Sequence, residues 1–248
     1  MPHSSTLPVV LVHGAWHGAW CWAAVQAELD RMGVPSYAID LPGHGASSLP
    51  FGDLRACADR VATFIERLDT DVVLVGHSFG GAVITEAGLH TAHVRHLVYL
   101  TAFVLDEGES MVQLPVLPDA PPSLLAAARY RPDAAHLALH PDLAVPALYG
   151  HCAPEVQRAA VARLGLHPIA SFVQPVTGAA WRRIPSTYVR CTDDQAIRLV
   201  HQDAMAARCT NVETLHTDHS PFASMPVETA RILAARAGRA SVEQLDER

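Results

Sequence analysis

The sequence predicts an α/β fold, a parallel sheet flanked by helices, on three observations. Short, wholly apolar runs such as Pro8-Val9-Val10-Leu11-Val12 and Val72-Val73-Leu74-Val75 have the composition of strands buried on both faces. Between them lie segments whose apolar residues recur every three or four positions, the period of a helix with one buried face. One of the apolar runs leads directly into Gly76-His77-Ser78-Phe79-Gly80-Gly81, a sharp turn whose small residues let a helix begin at once. Strand and helix alternating in this way imply right-handed crossovers and a parallel sheet.

Taken in order, residues 8–13 form the first strand and enter the loop Gly14-Ala15-Trp16-His17-Gly18. Residues 19–32 read as a helix, with Trp22, Val25 and Leu29 on one face and Gly33 as its stop. Residues 34–40 supply the next strand, which ends in Leu41-Pro42-Gly43-His44-Gly45, a turn sequence. Across 51–68, Leu54, Ala58, Val61, Ile65 and Leu68 line one helix face. The Ser78 strand and its helix follow, then a strand at 96–102. Between about 104 and 183 the rhythm breaks, and Pro115, Pro118, Pro132, Pro146, Pro154 and Pro168 punctuate short helical runs at 123–130 and 155–164. A structureless loop of that length does not suit a compact domain, and Leu124, Leu125, Leu137, Leu148, Phe172 and Trp181 give the segment apolar surface to bury. Residues 1–105 and 184–248 are therefore expected to form the core, with 106–183 inserted as a helical cap. Alternation resumes with strands at 186–191 and 211–215 on either side of a helix at 199–207. A last helix starts at Pro226 and stops near Gly238, and 239–248 read as a solvated tail.

The composition narrows the function. At 248 residues, half of them hydrophobic, the chain suits one globular domain with a large core. There are 18 basic residues against 25 acidic ones, a net charge of −7 and no lysine at all, which argues against a nucleic-acid or anionic-membrane surface. A small, neutral, hydrophobic partner is the expectation. No stretch approaches the ~20 uninterrupted apolar residues of a membrane span, and Met1 to Thr6 carry no basic leader, so the reading is a cytoplasmic protein. Five cysteines, Cys21, Cys57, Cys152, Cys191 and Cys209, are an odd number without a C-x-x-C pair, which points to free thiols. No phosphate loop, dinucleotide fingerprint or Schiff-base lysine is present, so no cofactor is expected. His90, His93 and His96 run from a helix end into a strand without a metal-binding pattern, and no metal is expected there. Nothing in the sequence sets the oligomeric state; a homodimer is compatible with it.

The chemistry gathers at Ser78. A serine held at a strand-to-helix turn is strained, and Gly76 and Gly80 must be small for strand and helix to approach. Reactive groups of an open parallel sheet collect at the carboxyl ends of its strands, where Ser78, Asp194 and His219 occur in the chain order serine, acid, histidine. A serine hydroxyl needs an imidazole to take its proton, and the imidazole needs a carboxylate to fix its tautomer and balance its charge. Asp193 is a second candidate for the acid, and His216 for the base. His13 and His77 read as orienting backbone near the site. Trp16 and Trp20 read as pocket or core, and Trp22 as core.

The motifs Val10-Leu11-Val12-His13-Gly14-Ala15-Trp16-His17-Gly18, Gly76-His77-Ser78-Phe79-Gly80-Gly81, Cys191-Thr192-Asp193-Asp194 and Asp218-His219 together carry a resemblance. The chain resembles α/β-hydrolases of the plant methylesterase and hydroxynitrile lyase group and their bacterial carboxylesterase relatives. The match covers both flanks of the sheet and is weak between about 106 and 183. The resemblance implies an α/β-hydrolase fold with about six parallel strands and an inserted helical cap. It also implies catalysis by Ser78, Asp194 and His219, with the backbone N–H groups of Ala15 and Phe79 as an oxyanion hole. The group's pattern assigns the acid to the second aspartate and the base to His219. Its lyases carry a threonine and a lysine where this chain has Gly14 and Ser220, which favours hydrolysis of a carboxylic ester or lactone. A lyase or C–C hydrolase on the same triad, or a receptor-like module with little turnover, are the alternatives.

Overall fold

A computed structural model describes residues 6–113, 128–130 and 135–238. Six parallel strands form the sheet: β1 (Val9–Val12), β2 (Ser36–Ile39), β3 (Val72–His77), β4 (Val94–Leu100), β8 (Ser186–Cys191) and β9 (Asn211–Leu215). Their spatial order is β2-β1-β3-β4-β8-β9, so the chain winds outward from the centre in both directions. Alternate residues of each strand feed separate cores. Val10, Val12, Leu74, Leu97 and Tyr99 pack with Leu54, Val61 and Ile65 of α2 (Leu54–Leu68) and with α3 (Phe79–Ala87). Val9, Leu11, Val73, Val75 and Val98 pack instead with Val25 and Leu29 of α1 (Ala23–Arg31) and with Leu233 of the last helix.

Local chemistry accounts for these helices. Asp53 caps α2 by accepting from the Ala56 N–H at 2.9 Å, and the chain leaves the helix through Asp69 in the left-handed region at φ 47°. Leu54 and Ile65 are fully buried on its inner face, each contributing about 2 kcal/mol of hydrophobic transfer. Every residue of α3 is buried; most are apolar or glycine, and Glu86 is paired with Thr177. The first predicted helix begins as a 3₁₀ turn over Ala19–Trp22 before α1 starts, because Asp40 Oδ1 accepts from the Ala19 N–H at 2.7 Å and pins the entry.

In the chain between β4 and β8, which pair directly with each other, comes a second, three-stranded antiparallel sheet made of β5 (Ala128–Tyr130), β6 (His136–Leu139) and β7 (His167–Pro168). Helices α4 (Pro141–Leu148), α5 (Pro154–Val161) and α6 (Ala170–Val173) accompany it. The segment was expected to be helical, with a run at 123–130. Residues 128–130 are instead strand, because they pair with Leu137 to Leu139. Leu124, Leu125 and the rest of that run fall outside the described residues, as does the tail at 239–248. Leu137, Leu148 and Tyr149 are buried against the two cores, so the inserted segment is packed down onto the sheet. After β8 come α7 (Leu199–Ala206), β9, a short α8 (Pro221–Ser224) that sequence periodicity does not reveal, and α9 (Pro226–Ala237).

Candidate active site

All six parallel strands release the chain at one edge of the sheet, and five of those carboxyl ends lead into a residue of the candidate site. The β1 end delivers Ala15, β3 Ser78, β4 Thr101, β8 Asp194 and β9 His219.

Ser78 sits at φ 52°, ψ −119°, a strained conformation for a residue with a side chain. It persists because the turn is held on both sides. The Ser78 N–H donates to Leu100 O at 3.3 Å, and Ser78 O accepts from the Gly81 and Phe103 N–H groups at 3.0 and 3.1 Å. The neighbouring glycines leave no room for anything larger. A Cβ on Gly76 would lie 2.4 Å from Gly80 O, and one on Gly80 would lie 2.7 Å from Val12 O.

His219 and Asp194 meet beside this turn, with His219 Nδ1 2.7 Å from Asp194 Oδ2. A carboxylate only accepts, so Nδ1 carries the proton and Nε2 is left as the bare nitrogen. The Asp194 carboxylate is almost wholly buried and fully engaged. Oδ1 accepts from the Ala196 and Ile197 N–H groups at 2.6 and 2.9 Å, while Oδ2 also accepts from Thr101 Oγ1 and, at 3.4 Å, from Gln202 Nε2. Asp193 turns outward to Thr192 Oγ1 at 3.2 Å, and His216 Nδ1 lies 3.3 Å from the same hydroxyl. Neither side chain is hydrogen-bonded to Asp194 or His219 among the described residues. Asp218, next to His219, is occupied by the His151 and Ser220 N–H groups at 2.8 and 3.1 Å and by Ser224 Oγ at 2.9 Å, which tie the turn to α8 and the inserted segment.

Two further histidines orient backbone, as the sequence suggests. His77 Nε2 donates to His219 O at 2.8 Å, fixing the peptide next to the imidazole. His13 Nδ1 donates to Gly14 O at 2.8 Å while its Nε2 accepts from the Leu41 N–H at 3.1 Å. The Gly14 carbonyl belongs to the same planar peptide as the Ala15 N–H, so His13 sets the line along which that N–H points. Burial is the main force holding both imidazoles well below their usual pKa; they are neutral, as these donor and acceptor roles require. Among the described residues no protein acceptor lies in reach of the Ala15 N–H. Phe79, the first residue of α3, likewise has an N–H with no carbonyl a turn earlier in its helix. Negative charge is favoured at such a helix start.

An apolar wall stands next to the turn. The rings of Phe79 and His167 are 4.6 Å apart, those of His167 and Phe172 4.5 Å, and those of Trp16 and Phe172 5.7 Å. Trp22 is fully buried, and Trp20 is half-buried under Arg163, 4.6 Å from its ring. Thr101 and Gln202, which hold Asp194, were not singled out from the sequence. Thr101 sits at the carboxyl end of a strand next to the Ser78 strand, and that position was the available signal.

Comparisons agree with this architecture. A family model described as "Alpha/beta hydrolase family" matches residues 9–232. The alpha/beta hydrolase nvfD of Aspergillus novofumigatus is 30% identical over 94% of this chain and 97% of its own length. A putative chloroplastic methylesterase 15 of Arabidopsis thaliana is 28% identical over 93% of this chain, which spans 56% of that protein. Among solved structures, a pyrethroid hydrolase from Sphingobium faniae JZ-2 superposes with a TM-score of 0.84 at 25% identity, covering 94% of this chain and 98% of that one. The methylesterase MES16 from Arabidopsis superposes with a TM-score of 0.76 at 26% identity, covering 93% and 98%. With a family match that spans nearly the whole sheet and esterases among the relatives, this chain belongs to the alpha/beta hydrolase family.

Proposed function

We propose that the chain is a cofactor-free serine hydrolase that cleaves a hydrophobic carboxylic ester or lactone through an acyl-enzyme on Ser78. The observation that carries this reading is the buried 2.7 Å pairing of His219 Nδ1 with Asp194 Oδ2 beside the strained Ser78 turn. Ser78 Oγ bonds to the ester carbonyl carbon while its proton passes to His219 Nε2. The carbonyl oxygen becomes an oxyanion that the Ala15 and Phe79 N–H groups hold, each such donor being worth ~3 kcal/mol of barrier. When the intermediate collapses, the bond to the alcohol oxygen breaks and His219 returns the proton to the leaving group. Water then attacks the acyl carbon, giving its proton to His219, and the acid leaves as Ser78 regains a proton.

The rings of Phe79, Trp16 and Phe172 around the turn support a hydrophobic substrate. Position 14 supports hydrolysis over cyanohydrin cleavage. A Cβ there would fall 2.8 Å from His77 Nδ1 and 3.0 Å from Ser78 Cβ, leaving no space for a threonine. The test is fluorophosphonate labelling and turnover of a short-chain nitrophenyl ester by the wild type and Ser78→Ala. Labelling and turnover that both vanish in Ser78→Ala support the reading; turnover that survives the substitution overturns it.

A further inference from the structure

The Ala15 N–H serves an oxyanion only if it is aimed; it lies in the Gly14–Ala15 plane, and the Ala15–Trp16 plane fixes the other side of the Ala15 Cα. The Gly14–Ala15 plane is held by His13 from within the core. The Ala15–Trp16 plane is held from elsewhere: His17 Nδ1 donates to Ala15 O at 2.7 Å, and His17 Nε2 accepts from the Tyr149 hydroxyl at 2.6 Å. Tyr149 stands at the end of α4, in the inserted segment, and is fully buried. Two more bonds cross the same boundary. Trp16 Nε1 donates to Leu137 O at 3.0 Å, and Gly165 N–H donates to Trp16 O at 2.8 Å. Trp16 itself lies at φ 64°, a left-handed conformation that costs a residue with a side chain ~1 kcal/mol or more. The contacts from the inserted segment converge on this strained residue and its neighbours.

We propose that Tyr149 and His17 are positioning residues for the oxyanion donor: the inserted segment, through the Tyr149 hydroxyl and the His17 imidazole, anchors the Ala15–Trp16 peptide and so, together with His13 on the preceding plane, the aim of the Ala15 N–H. The inference rests on the hydrolase reading above and deepens it. The proton order along the chain is fixed by its end. Ala15 O can only accept, so the proton of a neutral His17 sits on Nδ1, its Nε2 is bare, and the Tyr149 O–H donates to it. His17 is neutral in the working range because burial lowers its pKa to about 4, against the bond to Ala15 O, which raises it, and with the nearby His219 and His44 pushing in the lowering direction. The rings packed on His17 are Trp20, His77, Tyr149 and Phe222, none of them carrying charge. The relay therefore points one way from its origin in the inserted segment to the oxyanion loop.

The experiment compares wild type, Tyr149→Phe, His17→Ala and the double variant on a short-chain nitrophenyl ester. It also compares two inhibitors of matched shape: a trifluoromethyl ketone, which forms an oxyanion with Ser78, and an unreactive amide. A donor knocked partly off its line forfeits part of the 10²–10³ that one oxyanion N–H supplies, so Tyr149→Phe should lower kcat about tenfold with KM held within about twofold. Affinity for the ketone should fall by the same factor, and affinity for the amide should stay unchanged. In the His17→Ala background the Tyr149 substitution should add less than about twofold, because the hydroxyl acts through the imidazole. His17→Asn, which keeps a donor for Ala15 O but cannot reach Tyr149, should show the same silence and serves if His17→Ala does not fold. The inference is overturned if Tyr149→Phe leaves kcat intact, if its loss falls on KM and on the amide, or if its full effect persists without His17. A wild type with no Ser78-dependent turnover would overturn the hydrolase reading and this inference together; Ser78-dependent turnover with a silent Tyr149→Phe would overturn this inference alone.

Discussion

Replacing Asp194 by asparagine should disable the site by inverting the proton on His219, and the structure indicates how. The amide can be seated in two ways. If its NH₂ faced Ala196 and Ile197, it would meet two backbone N–H donors, at 2.6 and 2.9 Å from the present oxygen, that cannot turn away. If its NH₂ faces the other side, the three donors there can adapt. The Thr101 hydroxyl rotates, Gln202 keeps its bonds to Cys191 O and Ile197 O at 2.9 and 2.7 Å, and His219 moves its proton from Nδ1 to Nε2. The second seating is therefore preferred, and in it Nε2 can no longer accept from Ser78. In a serine triad that exchange costs ~10⁴ in kcat, about 5.4 kcal/mol of transition-state stabilisation, with the geometry kept. The measurement is kcat and KM on a nitrophenyl ester for Asp194→Asn and, in parallel, for Asp193→Asn, whose side chain reaches only Thr192 and the edge of His151. Asp193→Asn should lie within about twofold of wild type. Retention of a tenth or more of the activity by Asp194→Asn, or a larger loss at Asp193, would refute the tautomer argument.

Three other outcomes follow from the same structure. Gly76→Ala drives a Cβ to 2.4 Å from Gly80 O, a clash with backbone, and should cost about 3 kcal/mol and lower Tm by roughly 6–12 °C, whereas Gly150→Ala, with its nearest atom at 3.6 Å, should stay within about 0.5 kcal/mol. His13, His17, His44, His77 and His167 have folded-state pKa values below their ordinary value, chiefly through burial, so the unfolded chain binds more protons as pH falls below about 6.5 and stability is lost from there downward. His17 alone, lowered to about 4, should remove about 1 kcal/mol between pH 7 and 5.5, with the others adding in the same direction; a urea midpoint that is flat over that range would contradict the assignment. All five cysteines are free, with burial pushing the Cys57 thiol up to about 12 and the half-buried Cys209 to about 11, so a thiol reagent at pH 8 should label the native protein slowly and leave ester turnover unchanged at first; rapid inactivation would point to a thiol in the chemistry.

The parts of this molecule that follow a simple period or a local steric rule were readable in the sequence. The apolar runs of β1 and β3 announced themselves because both faces of those strands are buried, and Gly76 and Gly80 announced the Ser78 turn because nothing larger fits. That Asp194 and His219 would meet was expected from chain order and from the resemblance, and their side chains pair at 2.7 Å. The inserted segment was misread at 128–130, where pairing with β6 overrides a local pattern rich in alanine that favours helix. Its long-range bonds were hidden for a related reason. The Trp16 to Leu137 and His17 to Tyr149 contacts join residues 121 and 132 positions apart, and no periodicity encodes a meeting at that distance. Thr101 was passed over because a threonine at a strand end has many reasons to be there, and only the approach of Asp194 gives it one.

Those separations bear on the order in which the protein becomes competent. The Ser78 turn is closed by Gly81 and by the next strand along the chain, through Leu100 and Phe103. The grip on the Ala15–Trp16 peptide needs Tyr149, 132 positions from His17, and the Asp194–His219 pair has to dock from the last two strands, so both wait for chain far beyond that turn. During refolding, helical signal and burial of Trp22 in the core should therefore recover before ester turnover does. On the proposed reading, the molecule would pass through a compact form that already holds Ser78 in its turn and does not yet hydrolyse ester.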